Sequence, residues 1–270
     1  MTLCIYHGNC TDGFGAAWVV RKKLPESLFY PGIHQEPPPD VSGHDVVLVD
    51  FSYKRPVLLD MATKAKSILI LDHHKSAAED LVDLPANVTA MFDMTQSGAM
   101  LAWTHFFPTE PPPTLLRHIE DRDLWRFALP HTRPIQATLM SYPYDFEVWD
   151  TLMMSDPTTL VTDGEAIERK HRKDLQELLV VTTRKMIIGG HCVPVANLPY
   201  TMSSDAGHAL AKGRPFAACY WDTPHGRVFS LRSNEEGVDV ATIAQQYGGG
   251  GHRNAAGFRV SFAIAQTFEV

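Results

Sequence analysis

Cysteine is scarce in this chain: Cys4, Cys10, Cys192 and Cys219 are the only four in 270 residues, and their spacing is unpaired. That argues against a disulfide scaffold, and reduced thiols in a cytoplasmic setting are expected instead. Long hydrophobic runs are also missing. No apolar stretch approaches the roughly 18 residues that would span a bilayer, so no membrane association is expected. The start, Met1-Thr2-Leu3-Cys4-Ile5-Tyr6-His7, lacks a basic region followed by a long apolar segment, so no signal peptide is expected. Positive charge is in deficit, with 24 Lys and Arg against 31 Asp and Glu and a formal net charge of −7. Long nucleic acid is held mainly by phosphate neutralisation, so a non-specific nucleic-acid clamp is not expected. No internal repeat is present.

What remains is the composition of a globular protein, 44% hydrophobic and 20% charged, long enough for two modest domains or one large one. The first half alternates strand and helix signals. Residues 3–6, 46–49 and 68–71 are continuous apolar runs; 13–23, 55–66 and 97–107 read as helices between and after them. Apolar runs separated by helices indicate a parallel sheet covered on both faces, hence a doubly wound α/β domain over residues 1–155. A long charged helix over 163–185 lies in an expected connector, 156–188. The last third changes pattern. Strands are expected at 192–196, 216–221, 227–232 and 258–262, with a helix at 240–247, giving a smaller α+β domain with a mixed sheet over 189–270.

The chemistry gathers at strand ends. Asp72-His73-His74 directly follows Ile68-Leu69-Ile70-Leu71; His7 and Asp12 follow the first apolar run; Asp50 follows the second. Three consecutive strand-end clusters of one kind are an uncommon coincidence. In open α/β sheets, ligands bind outside the carboxyl ends of the strands. Carboxylates with neutral imidazoles and few thiolates favour Mn2+, Mg2+, Fe2+ or Zn2+. The expected use is metal-assisted hydrolysis at a phosphoryl group, with Asp50, on the middle of the three ends, as the natural bridge between two cations. A second motif is Gly248-Gly249-Gly250-Gly251-His252-Arg253-Asn254-Ala255-Ala256-Gly257. Glycine permits close backbone approach, its N–H groups can cradle phosphate, and His252, Arg253 and Asn254 add donors.

Together, Asp72-His73-His74 and the glycine-rich motif resemble the DHH phosphoesterase superfamily, specifically members with a C-terminal DHHA1 domain. The stretch from Ser230-Leu231-Arg232-Ser233 through Val238-Asp239-Val240 and Ile243-Ala244 resembles the DHHA1 pattern too. The resemblance covers nearly the whole chain. It implies an Mn2+-dependent phosphoesterase with one or two ions, Mg2+, Co2+ or Zn2+ being alternatives. By the same resemblance His7 is a ligand of the first metal, Asp12 the second acidic ligand of the first motif, Asp50 the bridge, and His73 a ligand of the second metal. His74 faces substrate phosphate, with Asp72 orienting the histidines, and these two are the catalytic candidates. Asp123, followed closely by Trp125, is the favoured remaining acidic ligand, and Asp121 stays open as its rival. Arg232, Gly249, Gly250, Gly251, His252, Arg253 and Asn254 are the expected substrate-binding set.

One departure stands out. The family's first motif has a His and two Asp residues, whereas His7-Gly8-Asn9-Cys10-Thr11-Asp12-Gly13 puts Cys10 or Asn9 at the first Asp. Either Cys10 is a softer ligand or it is packed and water replaces the carboxylate. The leading expectation is a phosphodiesterase acting on short RNA or DNA oligonucleotides or on linear or cyclic dinucleotides, as a 3'-5' exonuclease or oligoribonuclease. The alternatives are a pAp-type phosphomonoesterase and a nucleotide sensor that has lost catalysis. A homodimer is left open.

Overall fold

The computed structural model describes all 270 residues. They divide into two compact units, Met1–Arg169 and Lys170–Val270. The division falls inside the long charged helix, within the segment expected as a connector.

In the first unit the elements run β1 (Thr2–His7), α1 (Thr11–Lys23), β2 (Leu28–Gly32), β3 (Asp45–Val49), α2 (Arg55–Lys64), β4 (Ser67–Asp72), α3 (Lys75–Asp80) and β5 (Val88–Phe92). Four helices follow, α4 (Gly98–Phe106), α5 (Thr114–Asp123), α6 (Thr132–Leu139) and α7 (Phe146–Met154), and α8 (Val161–Thr182) begins here. All four strand pairings are parallel, in the order β2-β1-β3-β4-β5. Strands buried on both faces explain the continuous apolar runs. Cys4, Val47, Val49 and Leu71 pack on one face, in a core with Phe14 of α1, Ala102 of α4, Leu116 of α5 and Trp149 of α7. Leu3, Ile5, Leu48 and Ile70 pack on the other, against Leu58 and Met61 of α2. Trp149 is fully buried, and truncating such a side chain to Ala costs about 3–5 kcal/mol.

The edge strands β2 and β5 were not expected. Pro31 interrupts the pattern of β2 and is tolerated because β2 lies at the sheet edge. Strand order reverses between β1 and β3, which makes their carboxyl ends a topological switch point. The α1 helix suits its dipole, with Asp12 in the first turn and Arg21, Lys22 and Lys23 in the last.

The second unit holds the rest of α8, then β6 (Thr183–Ile188), β7 (His191–Asn197), α9 (Ser203–Leu210), β8 (Ala217–Thr223), β9 (Gly226–Arg232), α10 (Val240–Gln245), β10 (Gly250–His252), β11 (Ala255–Val260) and α11 (Phe262–Gln266). Its sheet, ordered β10-β11-β9-β8-β7-β6, is mixed: β7 and β8 are parallel and the other pairs antiparallel. Two expectations are corrected here. The long helix ends at Thr182, because 183–188 pairs with β7, Thr183 opposite Ala196. The last strand runs from Ala255 to Val260, because its ladder with β9 sets the register, and Phe262 opens a helix capped by Ser261.

No helix is long and apolar enough to cross a membrane.

Candidate metal centre

The carboxyl ends of β1, β3 and β4 converge on Asp50. Its backbone N–H donates to Leu71 O at 2.9 Å, and it takes the left-handed φ of +52° that turns its side chain off the strand. The side chain is 2% exposed. His73 Nε2 is 3.0 Å from Asp50 Oδ1, and His7 Nδ1 is 3.3 Å from Asp50 Oδ2. Burial alone would raise the Asp50 carboxyl, but His7 and His73 hold it well below the usual range. Two glycines let the pieces close up. A Cβ on Gly98 would lie 2.4 Å from Asp50 Cβ, and one on Gly13 would lie 2.2 Å from His7 O.

Asp12, in the first turn of α1, plugs the start of α4 and accepts from Gly98 N at 2.6 Å and Ala99 N at 3.0 Å. Its Oδ2 is also 3.8 Å from His73 Nε2. Asp123, ending α5, brings Oδ2 to 3.6 Å from the same nitrogen and keeps 28% side-chain exposure. Three carboxylates therefore surround one imidazole nitrogen. Desolvation and then the charges of Asp50 and Asp123 push Asp12 well above the carboxylate range. Desolvation also raises Asp123; His73 opposes the rise and Asp50 adds to it. His73 is held in its charged form against burial by Asp50, Asp123 and Asp12.

The structure separates the two candidate aspartates. Asp121 accepts from Ala128 N at 2.8 Å, Leu129 N at 3.1 Å and Thr132 Oγ1 at 2.5 Å, so its carboxylate ties the loop after α5 to α6. It does not join the cluster; Asp123 does.

Asp72 serves its neighbours rather than the cluster's centre. Its Oδ1 accepts from His73 N at 2.8 Å and lies 2.6 Å from His74 Nδ1, and Oδ2 accepts from Ser52 Oγ at 2.6 Å. Burial would raise this fully buried carboxyl, but His74 and Ser52 pull it far below its ordinary value. That grip fixes the orientation of the His74 ring.

Cys10 stands at the N-cap of α1 and makes no capping hydrogen bond. Burial pushes its thiol up, Asp50 adds to the rise, and His7 opposes it.

One residue here was not expected. His34, two positions beyond β2, has its ring 5.1 Å from that of His7 and 5.9 Å from that of His74, and stacks on Phe51 at 4.7 Å. Crowding by its neighbours, desolvation first and then the like charges of His7 and His74, lowers its pKa, although the residue keeps an exposed face. The signal that could have found it is a fourth strand end, hidden because Pro31 masks β2.

These residues fit a divalent cation. Ligand atoms of Asp12, Asp50 and His73 lie within 4.8 Å of one another, as do those of His7, Cys10 and Asp50. Buried Asp50 Oδ2 has no partner in hydrogen-bond geometry. Three carboxylates gathered at one buried point call for positive charge, which His7 and His73 supply in direct contact with Asp50.

In the second unit, Gly250 and His252 pair with Gly257 and Ala255 across the β10–β11 hairpin. A Cβ on Gly249 would meet Gly257 O at 2.0 Å, so close backbone packing accounts for a glycine there, and Gly251 sits at φ +140°. Asn254 Nδ2 donates to Ser233 Oγ at 3.0 Å and Asn234 O at 2.8 Å, bracing the loop after β9. Arg253 donates to Gly237 O at 3.1 Å, and Arg232 to Ser204 Oγ at 2.8 Å and Ser230 Oγ at 3.0 Å.

No family model matches the chain. Among curated proteins it is 30% identical over 283 residues to the uncharacterized protein R106 of Acanthamoeba polyphaga mimivirus, covering 95% of this chain and 67% of R106. It is 29% identical over 107 residues to the oligoribonuclease NrnB of Bacillus subtilis, covering 39% of this chain and 25% of NrnB. Of solved structures, the DHH domain of a member of a ribosomal-protein family superposes with a TM-score of 0.61 at 12% identity, over 100% of this chain and 87% of that one. RecJ of Thermus thermophilus, in complex with Mn2+, gives 0.51 at 14% identity over 97% of this chain and 50% of that one. The pGpG-specific phosphodiesterase PggH of Vibrio cholerae gives 0.51 at 13% identity over 98% and 95%. Its parallel sheet, strand-end Asp-His-His and mixed-sheet second unit, with superpositions of this breadth, give the chain the fold of the DHH phosphoesterase superfamily, and it belongs to one family with R106.

Proposed function

We propose that the chain is a divalent-cation-dependent phosphodiesterase that hydrolyses short oligonucleotides or dinucleotides. The observation that carries this reading is the convergence of Asp12, Asp50, His73 and Asp123 at the β1/β3 switch point, beside a His74 whose ring Asp72 fixes. Asp12, Asp50, His73 and Asp123 would hold the cation, with His7 on the far side of Asp50. When bound, a divalent cation such as Mn2+ supplies Lewis acidity toward a phosphoryl group and lowers the pKa of water. The chain's own groups do the rest. His74, oriented through Nδ1, presents Nε2 toward a phosphoryl oxygen. Asp12 stays in place because two backbone N–H groups of α4 hold it. We assign the holding of substrate phosphate to Arg232, His252 and Arg253 with the backbone of Gly249, Gly250 and Gly251. Asn254 braces the loop beside them.

Support for the substrate class comes from two sides. NrnB is an oligoribonuclease and PggH a pGpG-specific phosphodiesterase. The net charge of −7 disfavours a long polyanion. Four free cysteines agree with a reducing cytoplasm.

His73→Ala and Asp50→Asn test the reading. Each is expected to lower kcat on a short oligonucleotide by about a hundredfold or more with an unchanged circular dichroism spectrum. Full activity in either variant overturns the site.

A further inference from the structure

Two sets of donors meet at Asp50, and they differ in kind. One side is oxygen-rich: Asp12 and Asp123 with His73. On the other stand His7 and Cys10, whose ligand atoms lie with that of Asp50 inside 4.8 Å. Cys10 occupies an N-cap position, where Ser, Thr, Asp or Asn is usual, yet it caps nothing. A second observation points to a ligand there. Asp50 Oδ2, on a side chain 2% exposed, lies 3.3 Å from His7 Nδ1 and has no hydrogen-bond partner. A further imidazole is at hand, because ring nitrogens of His7, His34 and His74 also lie within 4.8 Å of one another. Phe51 backs His34 by stacking at an interplanar angle of 27°.

Thiolate and imidazole are softer donors than carboxylate, and a set of one sulfur, one or two nitrogens and one oxygen suits Zn2+ or Fe2+ better than Mn2+ or Mg2+. We propose that His7, Cys10 and Asp50, with the His34 ring beside that of His7, form a thiolate-containing site for a thiophilic cation, distinct in preference from the oxygen-rich set of Asp12, Asp50, His73 and Asp123. The centre is thereby mixed, with one soft and one hard position joined by Asp50. On binding, the Sγ–H bond breaks, the proton passes to solvent, and the electron pair it leaves is donated to the cation. This rests on the divalent-cation reading above and deepens it by assigning the two positions different metals.

The test is spectroscopic. The full-length, metal-stripped protein is titrated with Co2+ and followed by absorption. A thiolate-to-cobalt charge-transfer band in the near ultraviolet is expected. Cys10→Ser should remove the band while cobalt still binds, and Cys10→Asp should keep both equivalents of cobalt with no band. Zn2+ should quench the band, whereas excess Mn2+ should leave it. Cobalt bound without the band, or a band that persists in Cys10→Ser and Cys10→Asp, overturns the thiolate site and leaves the cation reading standing. No cobalt bound at all overturns both.

Discussion

Asp50 shows how much the site asks of single residues. It takes a left-handed backbone, is buried, and meets two imidazoles. Around it, Asp12 and Asp123 are raised by desolvation and by carboxylate neighbours. Removing one of those charges should relieve the cation-free protein. Asp123→Asn is expected to raise the melting temperature in chelator by about 2–4 °C, the equivalent of roughly 1 kcal/mol in a chain of this size, while it weakens cation binding. An unchanged or lower melting temperature would mean that the carboxylates do not strain the fold. The sign for pH follows from the same shifts. Groups raised in the cation-free protein hold protons that a cation must displace, so affinity should rise with pH and binding should release protons. Calorimetry in buffers of different ionisation enthalpy measures the release, and buffer-independent heats would contradict it.

At the scale of elements, β1, β3 and β4 could be read from the chain because each is apolar on both faces and ends in its ligand. The edge strands could not, since only one flank of each is paired, and with β2 went His34. The choice between Asp121 and Asp123 was also out of reach. The two lie two positions apart on one helix, and only the turn after α5 decides which carboxylate is taken up by backbone N–H groups. The glycine-rich motif is in large part a hairpin, because its residues are hydrogen-bonded to one another in a ladder, a pairing that the run of glycines does not announce. Gly98 was legible only as a helix start, yet it gives the room in which Asp50 sits. Gly98→Ala should therefore cost about 1–3 kcal/mol in urea unfolding, as overpacked sites do, and lower cation affinity. Native stability together with native affinity would show that α4 shifts freely.

For the whole molecule, composition and geometry pull in one direction. A chain with seven more acidic than basic groups gathers metal-fitting side chains around Asp50, at the carboxyl ends of β1, β3 and β4. On the proposed function, chemistry on phosphate depends on bound cations, and length in the substrate adds repulsion instead of affinity. The most direct measurement is turnover of a panel, namely pApA, RNAs of increasing length, c-di-AMP, pAp and pyrophosphate, with Mn2+ and with chelator. The account predicts Mn2+-dependent cleavage with the highest kcat/KM on pApA and the shortest RNAs, lost in chelator. Undiminished turnover in chelator, or no cleavage of any phosphodiester by the Mn2+-loaded protein, would contradict it.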